Sequence, residues 1–341
     1  MLFLRMFFEQ LSDVLKSKRT QADFLCCERF RDMLTSEEKK IFRAVHFERA
    51  ENFIRGYKKL KAQMLPFVPK YARKIEAFRK TSRLRRAKFD VLMNMNITSS
   101  VEMRLFNELK AERKFSTKNP ADGTINMFWD RSVLVRHDTF VLNLYRDILS
   151  EYFGAPFSIP KLSLPFTKEQ ILRTKMDILG GQDYVCFVPF TSSHDRNWNI
   201  QNFALIAREL YKRTRLKIII LGSGKKNMPW ENVQNDSNVI NLINKTTLKQ
   251  AMHIAAASRH AIVCDTSLMH CALMGGSNCI CVSRGDCNKL FMEYPKECNI
   301  KQTILYPESF NPTIGVRYSN LDINLITPKM VLSKIDKTWN L

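Results

Sequence analysis

His260-Ala261-Ile262-Val263-Cys264-Asp265-Thr266-Ser267-Leu268-Met269-His270 joins a run of strand length to the start of a helical period, with Asp, Thr and Ser at the joint. His260–Cys264 reads as a buried strand and Met269–Met274 as the helix that follows. Asp, Thr and Ser are all good N-caps, and a helix start presents unpaired backbone N–H groups and the positive end of the helix dipole. Such a joint is a ready phosphate site. The same cap also begins many helices that bind nothing, so chemistry alone leaves both readings open. His270, one turn in, is either a donor to a phosphate oxygen or a core histidine.

Working outward, short apolar runs alternate with helical periods, which argues βα units and a parallel sheet. Tyr184–Pro189, Leu216–Leu221, Val239–Leu242 and Cys279–Ser283 read as further strands, Asn202–Arg213 and Leu248–Ala257 as helices. The pattern predicts an α/β, Rossmann-type domain, in which ligands collect at the carboxyl ends of the strands. Chemistry is therefore sought in the turns after Pro189, Leu221, Cys264 and Ser283. The first of these carries hydroxyls at Thr191 and Ser192 and a guanidinium at Arg196, the short donors and full positive charge that a diphosphate requires; a capped, solvated loop anchored by Trp198 is the alternative. Leu221-Gly222-Ser223-Gly224-Lys225-Lys226 is Gly-rich, but a lone GxG fits a simple tight turn equally well.

In order, P-F-T-S-S-x-x-R-N-W, a strand ending L-G-S-G, N-L-I-N-K-T-T-L-K-Q-A, and C-D-T-S-L-M-H-C-A-L-M-G-G resemble the nucleotide-sugar-binding half of glycosyltransferase family 9, the ADP-heptose:lipopolysaccharide heptosyltransferases. The resemblance covers about residues 156–341. It implies a GT-B-like α/β fold, two Rossmann-type domains facing across a cleft, with the donor held mainly by the C-terminal one and the last helix, about 328–339, crossing back to the first domain. Position by position, it implies Thr191, Ser192 and Arg196 near the donor diphosphate, Thr246 near the base, and Asp265, Thr266, Ser267 and His270 near the diphosphate and sugar. Ser267 stands where the family usually has Gly, Arg196 replaces a usual Lys, and Lys226 occupies a position where an acidic residue commonly meets the ribose.

Residues 1–155 resemble the family less closely. Ala22–Cys26 and Phe89–Met93 read as strands, and Phe30–Leu34, Val101–Leu109 and Phe140–Phe153 as helices, for an acceptor-side α/β domain. Prolines 156, 160 and 165 mark a linker, followed by a helix over Lys168–Leu179. Family members begin with a strand and a loop of the type S-x-G-D-V, whose Asp is taken as catalytic base; here Leu11-Ser12-Asp13-Val14 is the candidate and lacks the Gly. Asp13 is therefore the expected base, with a helix-surface Asp as the alternative. The resemblance implies an inverting transfer: a carboxylate deprotonates the acceptor hydroxyl while the diphosphate leaves the anomeric carbon, its charge met by Arg196, Thr191, Ser192 and the N–H groups at Thr266–Ser267. No D-x-D occurs in the chain, which fits a metal-independent transferase with no cofactor.

Composition narrows the setting. At 341 residues the chain suits two domains, and its 45% hydrophobic and 26% charged content is that of a soluble globular protein. No stretch reaches the ~18 apolar residues that span a bilayer, and Met1–Phe8 reads as a first strand or helix, not a signal peptide. The nine cysteines, without CxxC spacing, suggest buried thiols in a reducing cytoplasm, with no disulfide framework and no zinc site. Net charge is +21, and Arg55–Lys88 holds 13 basic residues against the single acid Glu76. Such a field draws polyanions: on the resemblance, the phosphate groups of a lipopolysaccharide core acceptor or the inner face of the inner membrane. Nucleic acid is disfavoured, because aromatics such as Phe67, Tyr71 and Phe78 are few there and no RNA-module signature is present. A catalytically degenerate nucleotide-sugar binder, or a transferase using another sugar or a protein acceptor, is the alternative.

Overall fold

A computed structural model describes residues 3–48, 88–93, 110–118, 131–134, 138–223, 238–300 and 302–339. Two compact units emerge, one from residues 3–136 and 142–160, the other from 137–141 and 161–341. The divide at Pro160 falls within the proline-bearing stretch, where backbone restriction discourages helix continuation. The basic run 55–87, the helix expected over 101–109, and Gly224, Lys225 and Lys226 lie outside the described residues.

In the first unit a 3-10 turn, Leu4–Phe7, runs directly into helix α1, Phe8–Ser17. Phe8, Leu11 and Leu15 recur at helical spacing and are buried, which is why this opening is a helix and not a strand. Phe8 meets Phe24 and Phe42 edge-on, with centroids 5.4 and 5.0 Å apart, and the buried Arg5 pairs with Glu38 at 2.6 Å. Strands β1, Asp23–Cys27, and β2, Ala44–Glu48, pair in parallel. The segment between them holds a 3-10 turn, Glu28–Met33, where a helix over Phe30–Leu34 was expected, and the short α2, Ser36–Lys40, closed by a Thr35/Glu38 capping box. A separate parallel sheet runs β3-β4-β5, formed by Lys88–Met93, Lys110–Lys118 and Arg131–Leu134. Helix α3, Val141–Phe153, places Tyr152 edge-on to Phe115 at 4.7 Å. Sequence patterning found β1 and β3 but not β4, whose Lys110, Glu112 and Arg113 are exposed and break the apolar alternation; backbone pairing on both sides makes that strand.

The second unit begins with α4, Lys168–Leu179, and is built on one parallel sheet: β6, Tyr184–Val188; β7, Lys217–Ile220; β8, Val239–Asn241; β9, His260–Cys264; β10, Asn278–Val282; and β11, Gln302–Leu305. Its order is β11-β10-β9-β6-β7-β8. The chain thus builds outward from β6 to one edge, returns, and builds from β9 to the other, the doubly wound arrangement whose crevice opens where the order reverses. That reversal lies between β6 and β9.

Side chains divide between the two sheet faces with the period of two that strands impose. Val185, Phe187, Ile218, Ile220, Ile262, Cys264, Ile280 and Val282 form one core with helix α5, Ile200–Thr214, and the closing helix α8, Pro328–Thr338. Val331, Ile335 and Trp339 of the chain's last segment are buried in this same core. On the other face the Tyr184 hydroxyl donates to the Ile254 carbonyl at 2.6 Å, under α6, Leu248–Ala257, and α7, Ser267–Gly275. The last two pack so closely that a Cβ on Gly275 would lie 2.1 Å from the Ala256 carbonyl oxygen. Cys186, Cys264, Cys271, Cys279 and Cys281 are buried thiols of this core, and burial raises each of them above the ordinary thiol range. Among the described residues no helix is long and apolar enough to cross a membrane.

Candidate functional site

The reversal point brings together two of the strand-end turns. Residues 189–198 leave β6 and residues 265–267 leave β9, and these strands are neighbours with Val188 in register with Val263. Asp265 therefore emerges beside the first turn. Across this junction the Arg196 guanidinium forks: Nη1 donates to Asp265 Oδ2 at 3.0 Å and Nη2 to the Ser192 hydroxyl at 3.0 Å. Burial pushes the Asp265 carboxyl above its ordinary range, the Arg196 charge pulls it back, and the neighbouring Asp286 carboxylate pushes it up again.

Each turn is shaped by its own side chains. The Thr191 N–H donates to Asn197 Oδ1 at 2.7 Å, while the Thr191 hydroxyl donates to the Ser193 carbonyl at 2.6 Å and accepts from the Ser193 N–H at 3.1 Å. Thr191 thus braces the turn, and Ser192 is exposed beside it. Trp198 closes the turn from below, its indole donating to the Ile326 carbonyl at 2.7 Å and its backbone N–H reaching Cys264 Sγ at 3.5 Å. At the other turn Thr266 is the N-cap of α7, its hydroxyl accepting from the Leu268 N–H at 3.0 Å, with Ser267 exposed at the first helical position.

His270 is buried within α7, its Nδ1 2.8 Å from the Tyr294 hydroxyl, and burial lowers its pKa to about 3, so it is neutral at pH 7. Thr246 stands in the turn after β8, just before Thr247, which caps α6. Two strand spacings separate β8 from β6, which puts that turn roughly 10 Å along the sheet from the Arg196–Asp265 pair. Asp13 lies in the first unit on the exposed face of α1, not in a loop that follows a strand. Its helix is set by the burial of Phe8, Leu11 and Leu15 on the opposite face.

One charged group escaped residue-level reading although its turn was singled out. Arg284, directly after β10, donates from Nε to Asp286 Oδ2 at 2.8 Å and pairs through Nη1 with Asp195 Oδ2 at 3.4 Å. Asp286 is buried and accepts from the Ser319 N–H at 2.5 Å. The signal available was a pair of opposite charges, Arg284 and Asp286, set immediately after an apolar strand at its carboxyl end. Among the described residues no group of three His, Cys, Asp or Glu side chains is placed to hold a metal ion.

A crevice with a partly buried carboxylate bound to a guanidinium, a capped helix start and exposed hydroxyls can receive a diphosphate. Residues 77–280 match the model of glycosyltransferase family 9 (heptosyltransferase). Among solved structures the chain is similar to E. coli heptosyltransferase WaaC with ADP, at 14% identity and a TM-score of 0.65, over 98% of this chain and 95% of that one. It is similar to E. coli ADP-heptose lps heptosyltransferase II at 11% identity and a TM-score of 0.61, over 98% and 94%. A glycosyl transferase family 9 structure from Veillonella parvula gives 14% identity and a TM-score of 0.62, over 99% and 94%. At these identities the likeness is one of fold, α/β and GT-B-like. No curated protein matches the chain by sequence.

Proposed function

The chain belongs to glycosyltransferase family 9, the heptosyltransferase family, and we propose that it moves a heptose or related sugar from ADP-heptose to the anionic core of a lipopolysaccharide. The observation that carries this is the Arg196 fork to Asp265 and Ser192 across the point where the strand order reverses. ADP is what one similar structure holds, and a diphosphate suits this crevice chemically.

In this reading the diphosphate lies over the start of α7. Arg196, the Ser192 hydroxyl and the N–H groups at Thr266–Ser267 take up charge as the bond to the anomeric carbon breaks, each such donor being worth a few kcal/mol in a dry site. Thr191 keeps the turn in shape, and the neutral imidazole of His270 offers a donor without adding charge. Thr246 borders the base. Asp265 holds Arg196 in place, and the guanidinium offsets part of the upward push that burial gives the Asp265 pKa. Asp13, exposed on α1, accepts the proton of the acceptor hydroxyl, and inversion follows from attack opposite the leaving diphosphate. With guanidinium charge at the diphosphate and no D-x-D pair in the chain, the transfer proceeds without a metal. The 13 basic residues of Arg55–Lys88 draw the phosphorylated acceptor and hold the enzyme at the cytoplasmic face of the inner membrane.

Calorimetric titration with ADP-heptose, UDP- and GDP-sugars and a short DNA duplex at physiological salt tests the reading. Selective, saturable binding of ADP-heptose is expected. Tight DNA binding without any nucleotide-sugar response would overturn it.

A further inference from the structure

We propose that Arg284 is a second guanidinium for the donor diphosphate, held in place by the buried carboxylate of Asp286. The proposal rests on the nucleotide-sugar reading of the crevice and adds to it a residue from a third strand-end turn.

Placement comes first. β10 lies next to β9 with Val282 in register with Cys264, so the chain leaves β10 directly beside Asp265 and Thr266. From there the Arg284 side chain extends past β9 to the turn after β6, where its Nη1 lies 3.4 Å from Asp195 Oδ2. Asp195 belongs to the same short 3-10 turn as Arg196 and is tied to it by the Ser193 hydroxyl, which donates to Asp195 Oδ1 at 3.2 Å. Arg284 and Arg196 therefore converge on one turn from opposite sides of β9.

Orientation comes second. Arg284 Nε donates to Asp286 Oδ2 at 2.8 Å, and Asp286 Oδ1 accepts from the Ser319 N–H at 2.5 Å. Both oxygens of this buried carboxylate are occupied, so it anchors one edge of the guanidinium and directs the terminal nitrogens toward the crevice. The turn between them is also confined. Gly285 has φ +103°, and a Cβ there would lie 2.1 Å from the Phe310 ring. A preformed fork of this kind loses little freedom on meeting phosphate oxygens.

Charge comes third. The Asp195 carboxylate is 64% exposed, whereas the Arg284 side chain is 15% exposed. Contact with an exposed carboxylate at 3.4 Å is weak and readily exchanged, because water takes over the released anion. A diphosphate offers several oxygens and more than one negative charge, and bonds from a guanidinium to such oxygens are among the strong ones. Asp195 is in this view a placeholder, and Asp286 is a positioning residue that acts through Arg284.

ADP binding is measured by calorimetry on the full chain for wild type, Arg284→Gln, Arg284→Lys and Arg196→Gln, with the melting temperature of each unliganded protein. Arg284→Gln is expected to weaken ADP binding roughly ten- to hundredfold and to lower the melting temperature somewhat, because the buried Asp286 carboxylate loses its charged partner; Arg284→Lys regains part of the binding. ADP binding of Arg284→Gln equal to wild type, while Arg196→Gln loses it, overturns the role of Arg284 and leaves the donor site standing. A loss that follows a fall in melting temperature and is not relieved by Arg284→Lys also overturns it. Absence of ADP binding by the wild type overturns the nucleotide-sugar reading itself.

Discussion

Arg196 and Asp265 are 69 residues apart in the chain and 3.0 Å apart in the structure, one leaving β6 and the other leaving β9. They meet because these strands are neighbours at the reversal of strand order, so an ion pair joins the two turns that leave them. Removing either partner leaves the other charged and largely out of water, which costs far more than the pair contributes.

Arg196→Gln and Asp265→Ala should each weaken ADP-heptose binding about ten- to hundredfold. Asp265→Asn, which keeps a hydrogen-bond acceptor but not the charge, should fall between wild type and Asp265→Ala. Calorimetric titration of the three variants checks this, and wild-type affinity in Asp265→Ala would remove the pair from donor recognition.

Asp13→Asn should bind ADP-heptose as the wild type does and lose transfer, because the substitution removes only the proton acceptor. Binding and turnover must be measured separately. Normal turnover would take Asp13 out of the mechanism and make it a surface residue of α1.

Acid should destabilise the second unit in a defined window. His260 is buried and stacks on Trp339 at 4.3 Å, and burial lowers its pKa from 6.5 to about 4. The folded state thus binds fewer protons than the unfolded one between these values, so stability is fully present above about pH 6.5 and lost as the pH falls toward 4. The loss is on the order of 3 kcal/mol by linkage. His260→Phe keeps the stacking and should flatten this limb in urea denaturation followed against pH; an unchanged limb would assign the acid sensitivity to other groups, such as His270.

Gly275→Ala should cost roughly 1–3 kcal/mol, the usual range for overpacking. Its new Cβ would meet backbone atoms of Ala256, which cannot rotate away as a side chain can. Urea unfolding of the variant reads the shift, and wild-type stability would mean that α6 and α7 separate more easily than their contact suggests.

Much of the second unit was legible because its strands are buried on both faces and read as apolar runs. β6, β7, β9 and β10 were located within a residue or so, and the turns after β6 and β9 were among the four strand ends where chemistry was sought, though which of the four meet was not legible. β11 escaped, since Gln302 and Thr303 interrupt its short apolar run. In the first unit β2, β4 and β5 escaped as well; β4 carries too many charges to alternate. Arg284 was passed over although its turn was named, because a single arginine after a strand looks like any solvated charge until Asp195 and Asp286 are seen around it.

Local chemistry alone determined the α/β class, the order of βα units from Tyr184 onward, the capped helix starts at Thr247 and Thr266, and the family motifs, since each depends on residues within a turn or two of one another. Tertiary structure decided which strand-end turns meet, that Arg196 answers Asp265, that the Thr191 hydroxyl braces its own turn, and that Asp13 sits on a helix. Strand order and burial are set by packing across the whole sheet. A charge becomes a ligand, a brace or a surface group only when its distant neighbours are in place.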